Sequence, residues 1–162
     1  MEAFEKYIKA ITSYGGDEEQ DYAPYFTEEN EKAFDLWLKE QPKANGITLY
    51  RGYKFDDRYF EDCNLNEGEV VTPWSLTAWY HPAFTTDELR AVRYINDFGN
   101  AFDDDYVKIL FKLHTKGKYM VDVSSLSVYP EESEYHPCQD ARFRIVSTGR
   151  KGGYTTIVME EI

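Results

Sequence analysis

The sequence predicts an α+β protein with helices at its N-terminal end and an antiparallel-rich sheet system after them. Three observations carry this expectation. Apolar residues recur at helical spacing through the first quarter of the chain; from residue 47 onward they alternate at strand spacing; and short turns separate most of the strands. The strands and helices do not interleave in the β-α-β rhythm of a doubly wound parallel fold.

In order along the chain, Phe4, Tyr7, Ile8, Ile11 and Tyr14 follow the i, i+3, i+4, i+7 rule, and Gly15-Gly16 stops the run. Residues 17–24 read as an acidic connector. Thr27 is placed to cap a helix whose first turn carries Glu28 and Glu29, whose apolar stripe includes Phe34, Trp37 and Leu38, and which Pro42 and Gly46 end. Ile47, Leu49, Arg51 and Tyr53 then alternate with Thr48, Tyr50 and Gly52 as a strand. Residues 69–75 form a second short strand after an Asn66-Glu67-Gly68 turn. Thr85 and Glu88 make a capping box for a helix at 85–98, with Leu89, Val92, Ile95 and Phe98 as its stripe and Gly99 as its stop. Val107, Ile109, Phe111 and Leu113 alternate most cleanly of all, and residues 120–123 follow after a turn at 115–118. The run 142–145, a hairpin turn at 149–153 and a last strand at 154–159 complete the pattern.

At 162 residues the chain is expected to form one domain, with residues 1–46 as a mainly helical preamble and 47–162 as a strand-rich core. Its formal net charge of −12 argues strongly against a nucleic-acid phosphate partner and disfavours an anionic membrane surface. A basic protein, or an arginine presented by one, suits that field better. The N-terminus carries neither a basic region nor a long apolar run, so no signal peptide or transmembrane segment is expected, and the expected location is the cytoplasm or a cell into which the protein is delivered. Cys63 and Cys138 are the two cysteines and are expected as reduced thiols.

Three segments hold residues with chemical potential. The first is Glu131-Glu132-Ser133-Glu134, after Tyr129-Pro130 and before the strand that begins at Ala141. In an extended backbone Glu132 and Glu134 share a face about 7 Å apart. Such a pair is either a solvated acidic turn or a device for stabilising a developing cation and accepting a proton. The second is Arg51, on the same strand face as Leu49; its guanidinium needs a partner there, a structural carboxylate or a ligand phosphate or hydroxyl. Gly52 beside it marks close approach of a ligand or of another backbone. The third is Trp74-Ser75-Leu76-Thr77, where Ser75 and Thr77 would lie on one face at a strand end. His81, His114 and His136 with the two cysteines lack zinc-ligand spacing, and no metal is expected. His136 and Cys138 show no third group to orient a nucleophile, and residues 103–105 read as a solvated acidic loop.

Together, Leu49-Tyr50-Arg51-Gly52, the Ser75-Leu76-Thr77 triplet and Tyr129-Pro130-Glu131-Glu132-Ser133-Glu134 before Arg142-Phe143-Arg144-Ile145 resemble, in order and spacing, the arginine, Ser-Thr-Ser and Glu-x-Glu motifs of mono-ADP-ribosyltransferases related to arginine-specific toxins, phage enzymes and ecto-enzymes. The resemblance runs from about residue 49 to 159. It departs from the family at Ser75-Leu76-Thr77, which is not Ser-Thr-Ser, and at residues 135–140, where the family has an apolar pair and a Pro-Gly turn. It implies a two-sheet core with an NAD cleft between the sheets, cleavage of NAD at the nicotinamide–ribose bond, and transfer of ADP-ribose to a protein arginine. It also implies roles: Glu134 stabilises the oxocarbenium cation, Glu132 orients the acceptor and takes its proton, Arg51 holds phosphate or ribose, Gly52 meets the nicotinamide amide, and Ser75, with Thr77 on the same face, braces Glu134. Tyr80 or Phe84 would stack on nicotinamide. The resemblance implies that NAD would be bound without a Gly-x-Gly-x-x-Gly turn, since none follows a strand in this sequence. An NAD glycohydrolase and a non-catalytic acidic inhibitor of a basic partner are the competing readings.

Overall fold

The computed structural model describes residues 5–9, 27–56, 65–77, 81–97 and 106–162. Residues 5–9 are helical, with Tyr7 and Ile8 buried. The remainder of the expected first helix, the acidic connector at 17–24, Cys63, Tyr80, the Phe98-Gly99 helix stop and the loop at 100–105 lie outside the described residues.

Helix α1 spans Glu28–Glu40. Thr27 caps it, its hydroxyl accepting from the Asn30 amide at 3.2 Å, and three acidic residues of the first turn oppose the positive helix end. It stops because Gln41 precedes Pro42, whose ring excludes a helical conformation from the residue before it; Gln41 is extended, with ψ of 155°. The buried Phe34 and Leu38 pack with Tyr7, Ile8, Val121 and Val123 into a small core.

Eight strands follow: β1 Asn45–Asp56, β2 Val70–Val71, β3 Phe84–Thr85, β4 Tyr106–Lys116, β5 Met120–Asp122, β6 Glu134–Pro137, β7 Phe143–Lys151 and β8 Tyr154–Glu161. Their spatial order is β2-β7-β8-β4-β1-β3-β6-β5, and every neighbouring pair is antiparallel except β4 with β8. The expected pair of sheets takes the form of two portions of one ladder, five strands and three, that meet where β1 pairs with β3 at Tyr50↔Thr85. β4 divides its residues as alternation requires: Ile109, Phe111 and Leu113 enter the main core with Leu49, Phe143, Ile157 and Met159, while Leu110 joins Ala91 and Ile95 on the other face.

Helix α3, Glu88–Asp97, covers that second face; α2 is the short helix Pro73–Thr77. α3 crosses β1 so closely that a Cβ on Gly52 would come within 2.1 Å of the Ala91 carbonyl oxygen. Of the two causes for a glycine here, close approach of another backbone is present.

Three local expectations are corrected. The strand at 69–75 is reduced to Val70–Val71, and residues 73–77 turn into α2 instead. Thr72 and Ser75 form a reciprocal cap, the Ser75 hydroxyl accepting from the Thr72 amide at 2.8 Å and the Thr72 hydroxyl from the Ser75 amide at 3.2 Å, with Pro73 in the first helical turn. The helix expected at 85–98 starts later because Thr85 belongs to β3, and the cap is Asp87, whose carboxylate accepts from the Arg90 amide at 3.3 Å. Its buried face is Ala91 and Ile95, and Leu89, expected on the stripe, is 69% exposed. Finally, Gly149 continues β7; the tight turn is made by Gly152 and Gly153, with φ of +61° and +90°, a region glycine enters without steric cost.

Candidate active site at the seam of the sheet

Where the two portions of the sheet meet, a cleft of about 810 Å³, counting the solvent at its mouth, is lined by Arg51, Gly52, Phe84, Thr85, Arg90, Glu132, Glu134 and His136, with Tyr50, His81, Pro82, Ala83, Ala91 and Tyr94. The topology explains the convergence. Arg51 follows Tyr50, whose partner is Thr85, and Thr85 in turn pairs with Glu134. Three residues far apart in sequence thus occupy adjacent rungs.

Arg51 donates through Nη1 to the Ala83 carbonyl at 2.8 Å, and its guanidinium lies 5.2 Å from the Tyr53 ring centre. The bond to Ala83 ties β1 to the segment that leads into β3. The planar group is half-buried at the cleft wall, in the setting where a forked donor recognises phosphate or carboxylate oxygens.

The two glutamates reach the cleft by a route that strand alternation does not supply. Pro130–Glu132 is a single 3-10 turn, Ser133 follows in the left-handed region with φ of 49° and ψ of 55°, and β6 opens at Glu134. Expected extended pairing of Glu132 and Glu134 is therefore corrected: a turn folds Glu132 back beside Glu134. Pro130 presets the turn, and the Thr85 hydroxyl clamps it by donating to the Glu132 carbonyl at 2.7 Å. That same hydroxyl accepts from the Asp87 amide at 3.1 Å, so one threonine fixes both the glutamate turn and the start of α3.

Glu134 is 5% exposed. Glu132 is partly buried, and its carboxyl is pushed up to about 7, first by desolvation, then by a hydrogen bond to Glu134 and the charge of Glu134, with Arg90 opposing. Arg90 Nη1 stands 3.4 Å from Glu132 Oε1. A carboxyl that titrates near 7 is poised to accept a proton at physiological pH.

Behind Glu134 lie two buried histidines. His136 Nε2 is 3.0 Å from Glu134 Oε2, and its Nδ1 donates to the His81 carbonyl at 2.8 Å. His81 Nδ1 donates in return to the Pro137 carbonyl at 2.9 Å, and burial drives His81 down to about 4, so its ring is neutral near pH 7. Phe34 of α1 presents its ring edge-on to both, at 5.1 and 5.8 Å between centres.

Of the residues singled out from sequence, Arg51, Gly52, Phe84, Glu132 and Glu134 meet at the cleft. Ser75 and Thr77 do not line it. Ser75 is exposed on α2, with its hydroxyl engaged by Thr72, and Thr77 Oγ1 donates to the Pro73 carbonyl at 3.1 Å. Expected bracing of Glu134 by Ser75 is corrected on this ground: the cap that makes α2 consumes the serine, and the hydroxyl beside the glutamates belongs to Thr85. Phe84 is 2% exposed and part of the main core, whereas Tyr94, which sequence reading passed over, is 37% exposed on the cleft side of α3. Sequence reading passes over Arg90 as well, makes Thr85 a helix cap, and weighs His81 and His136 only as zinc ligands, with His136 also as the neighbour of a thiol. The one available signal was the spacing Glu132-x-Glu134-x-His136, which puts Glu134 and His136 on the same face of β6.

Among the described residues, no group of three or more His, Cys, Asp and Glu side chains is arranged to hold a metal ion, and no helix is long and apolar enough to cross a membrane. Cys138 is buried and its thiol is raised to about 11 by desolvation, which removes it as a nucleophile.

No protein-family model matches the chain, and no curated protein matches it in sequence. Solved structures do. The chain is similar to the Vis toxin, an ADP-ribosyltransferase from Vibrio splendidus, at 20% identity over 100% of this chain and 68% of that one, with a TM-score of 0.63. It is similar to Vis in complex with agmatine at 24% identity, over 99% of this chain and 67% of that one, with a TM-score of 0.61. Exoenzyme S from Pseudomonas aeruginosa, solved with human 14-3-3 protein beta and bound to carba-NAD, is similar at 16% identity over 98% of this chain and 65% of that one, with a TM-score of 0.53. The fold of this chain is that of the ADP-ribosyltransferases.

Proposed function

We propose, with the ADP-ribosyltransferase fold as premise, that this protein cleaves NAD at the nicotinamide–ribose bond and transfers ADP-ribose to an arginine side chain of a protein. The observation that carries the proposal is the meeting of Glu132, Glu134 and Arg51 in one cleft at the sheet seam. The residues fit the substrate. A guanidinium at the cleft wall suits the pyrophosphate or ribose, and Tyr50, Phe84 and Tyr94 are among the residues that line the cleft.

When the glycosidic C–N bond breaks, its electron pair leaves with nicotinamide and positive charge develops on the ribose. Glu134, buried and fixed by its neighbours, places a carboxylate where that charge forms. Glu132 lies at the more open side, where a guanidinium acceptor would arrive. Its carboxyl, near 7, takes the proton that the attacking nitrogen gives up as the new C–N bond forms. Agmatine, the ligand of one Vis structure, carries a guanidine group, which supports arginine as the acceptor class.

Incubating the protein with labelled NAD and a lysate tests the proposal. Label should become covalently attached to protein, resist cleavage by thiol-directed reagents, and vanish in Glu134→Gln, with NAD turnover reduced by about 10²–10³-fold. Glu132→Ala should lose transfer while keeping hydrolysis of NAD to free ADP-ribose. If wild-type protein consumes NAD but labels nothing, it is a glycohydrolase; if it ignores NAD, the transferase reading is wrong.

A further inference from the structure

We propose that His136 is the positioning residue for Glu134, holding the catalytic carboxylate from behind through a protonated Nε2. The inference rests on the role of Glu134 proposed above and assigns the group on which that role depends. Its basis is hydrogen-bond accounting. A peptide carbonyl only accepts, so the 2.8 Å contact of Nδ1 with the His81 carbonyl requires a proton on Nδ1. A neutral ring would then offer a bare lone pair at Nε2, 3.0 Å from Glu134 Oε2, and a carboxylate would meet it lone pair to lone pair. One proton must lie in this contact. With Glu134 ionised, as charge stabilisation requires, that proton is on Nε2 and the pair is imidazolium and carboxylate.

The surroundings make the ring rigid. Glu134 and His136 alternate onto one face of β6, both at least nine-tenths buried. The His136 ring bonds the carbonyl of residue 81 while the His81 ring bonds the carbonyl of residue 137, a reciprocal lock across the strand edge. The Phe34 ring packs against that of His136 at 71°, with 5.8 Å between centres. The charged and titratable groups around the ring are Glu134 and, through it, Glu132 on the same segment; His81 opposite; and Asp35 and Lys39 of α1, whose charges reach His81. His81 is neutral near pH 7, so it does not compete with His136 as a cation. Holding Oε2 restrains the carboxylate that lines the cleft beside Glu132. The device stands where sequence reading expected the Ser75 hydroxyl.

The test compares His136→Leu, which removes the donor, with His136→Gln, whose amide can still donate to Glu134, using kinetics of NAD consumption and ¹⁵N spectra of the histidine rings. Expected are a fall of about 10²-fold in kcat for His136→Leu with little change in KM for NAD, and partial rescue by His136→Gln. In otherwise wild-type protein, the ring-nitrogen signals of His136 should show both nitrogens protonated and should move in Glu134→Gln. Equal damage by folded Leu and Gln variants, an unchanged kcat in His136→Leu, or a His136 signal blind to Glu134→Gln would each overturn this inference alone. A wild-type protein inert towards NAD would overturn the functional reading, and this inference with it.

Discussion

Arg90 Nη1 stands 3.4 Å from Glu132 Oε1, linking helix α3 to the 3-10 turn that carries the glutamate. Both side chains are partly exposed, so the pair contributes little to stability, about 0–1 kcal/mol. Its consequence is electrostatic. Arg90 pulls down a carboxyl that desolvation and Glu134 push up to about 7.

Transfer should therefore depend on pH in a defined direction. Glu132 accepts a proton only when ionised, so transfer rises as pH increases through about 7 and is lost below it. Arg90→Ala removes the group that favours ionisation, so the midpoint moves upward. A pH–rate profile of protein labelling at saturating NAD measures both. A midpoint that stays put in Arg90→Ala would contradict the assignment.

Thr85 and Ser75 exchange the importance that sequence reading gave them. Thr85→Val removes the donor to the Glu132 carbonyl and the acceptor for the Asp87 amide, at a cost of about 1–3 kcal/mol, and loosens the turn that aims Glu132. Transfer should fall more than NAD hydrolysis. Ser75→Ala loses a cap on α2, about 0.5–2 kcal/mol, and leaves NAD turnover near the parent rate. Thermal melts and turnover assays on the two variants decide the point.

Gly52→Ala should destabilise through packing. The added Cβ meets the Ala91 carbonyl oxygen at 2.1 Å, and backbone on both sides prevents an easy retreat. Overpacking of this kind costs about 1–3 kcal/mol or more. The melting temperature should drop, and because Gly52 adjoins Arg51 at the cleft wall the affinity for NAD should weaken with it. An Ala variant as stable as the parent would show that α3 can lift away from β1.

Glu161 closes the far end of the sheet. It is buried, and its carboxylate accepts from the backbone amides of Lys116, Lys118 and Tyr119, the last at 2.9 Å. Glu161→Ala leaves three donors without that partner and should cost about 3 kcal/mol or more, while Glu161→Gln keeps an acceptor oxygen and loses less. Urea denaturation of the two variants gives the comparison directly.

Local chemistry in the chain determined the order of helices and strands, the alternation of β4 and the Thr27 cap, and it singled out Arg51, Glu132 and Glu134, which the cleft brings together, because each reading depends on residues only a few positions apart. Tertiary structure alone decided which hydroxyl serves the glutamates and what stands behind Glu134. Thr85 and Glu132 are 47 residues apart, and His81 and His136 are 55 apart. Such pairs meet only through strand order and register, including the parallel β4–β8 pairing that no local pattern announces. Ser75 misled for a local reason that only coordinates expose: its hydroxyl and that of Thr72 cap a helical turn where a strand was expected. Side-chain type is written in the chain, whereas the neighbour that gives a side chain its task is set by the packing of distant segments.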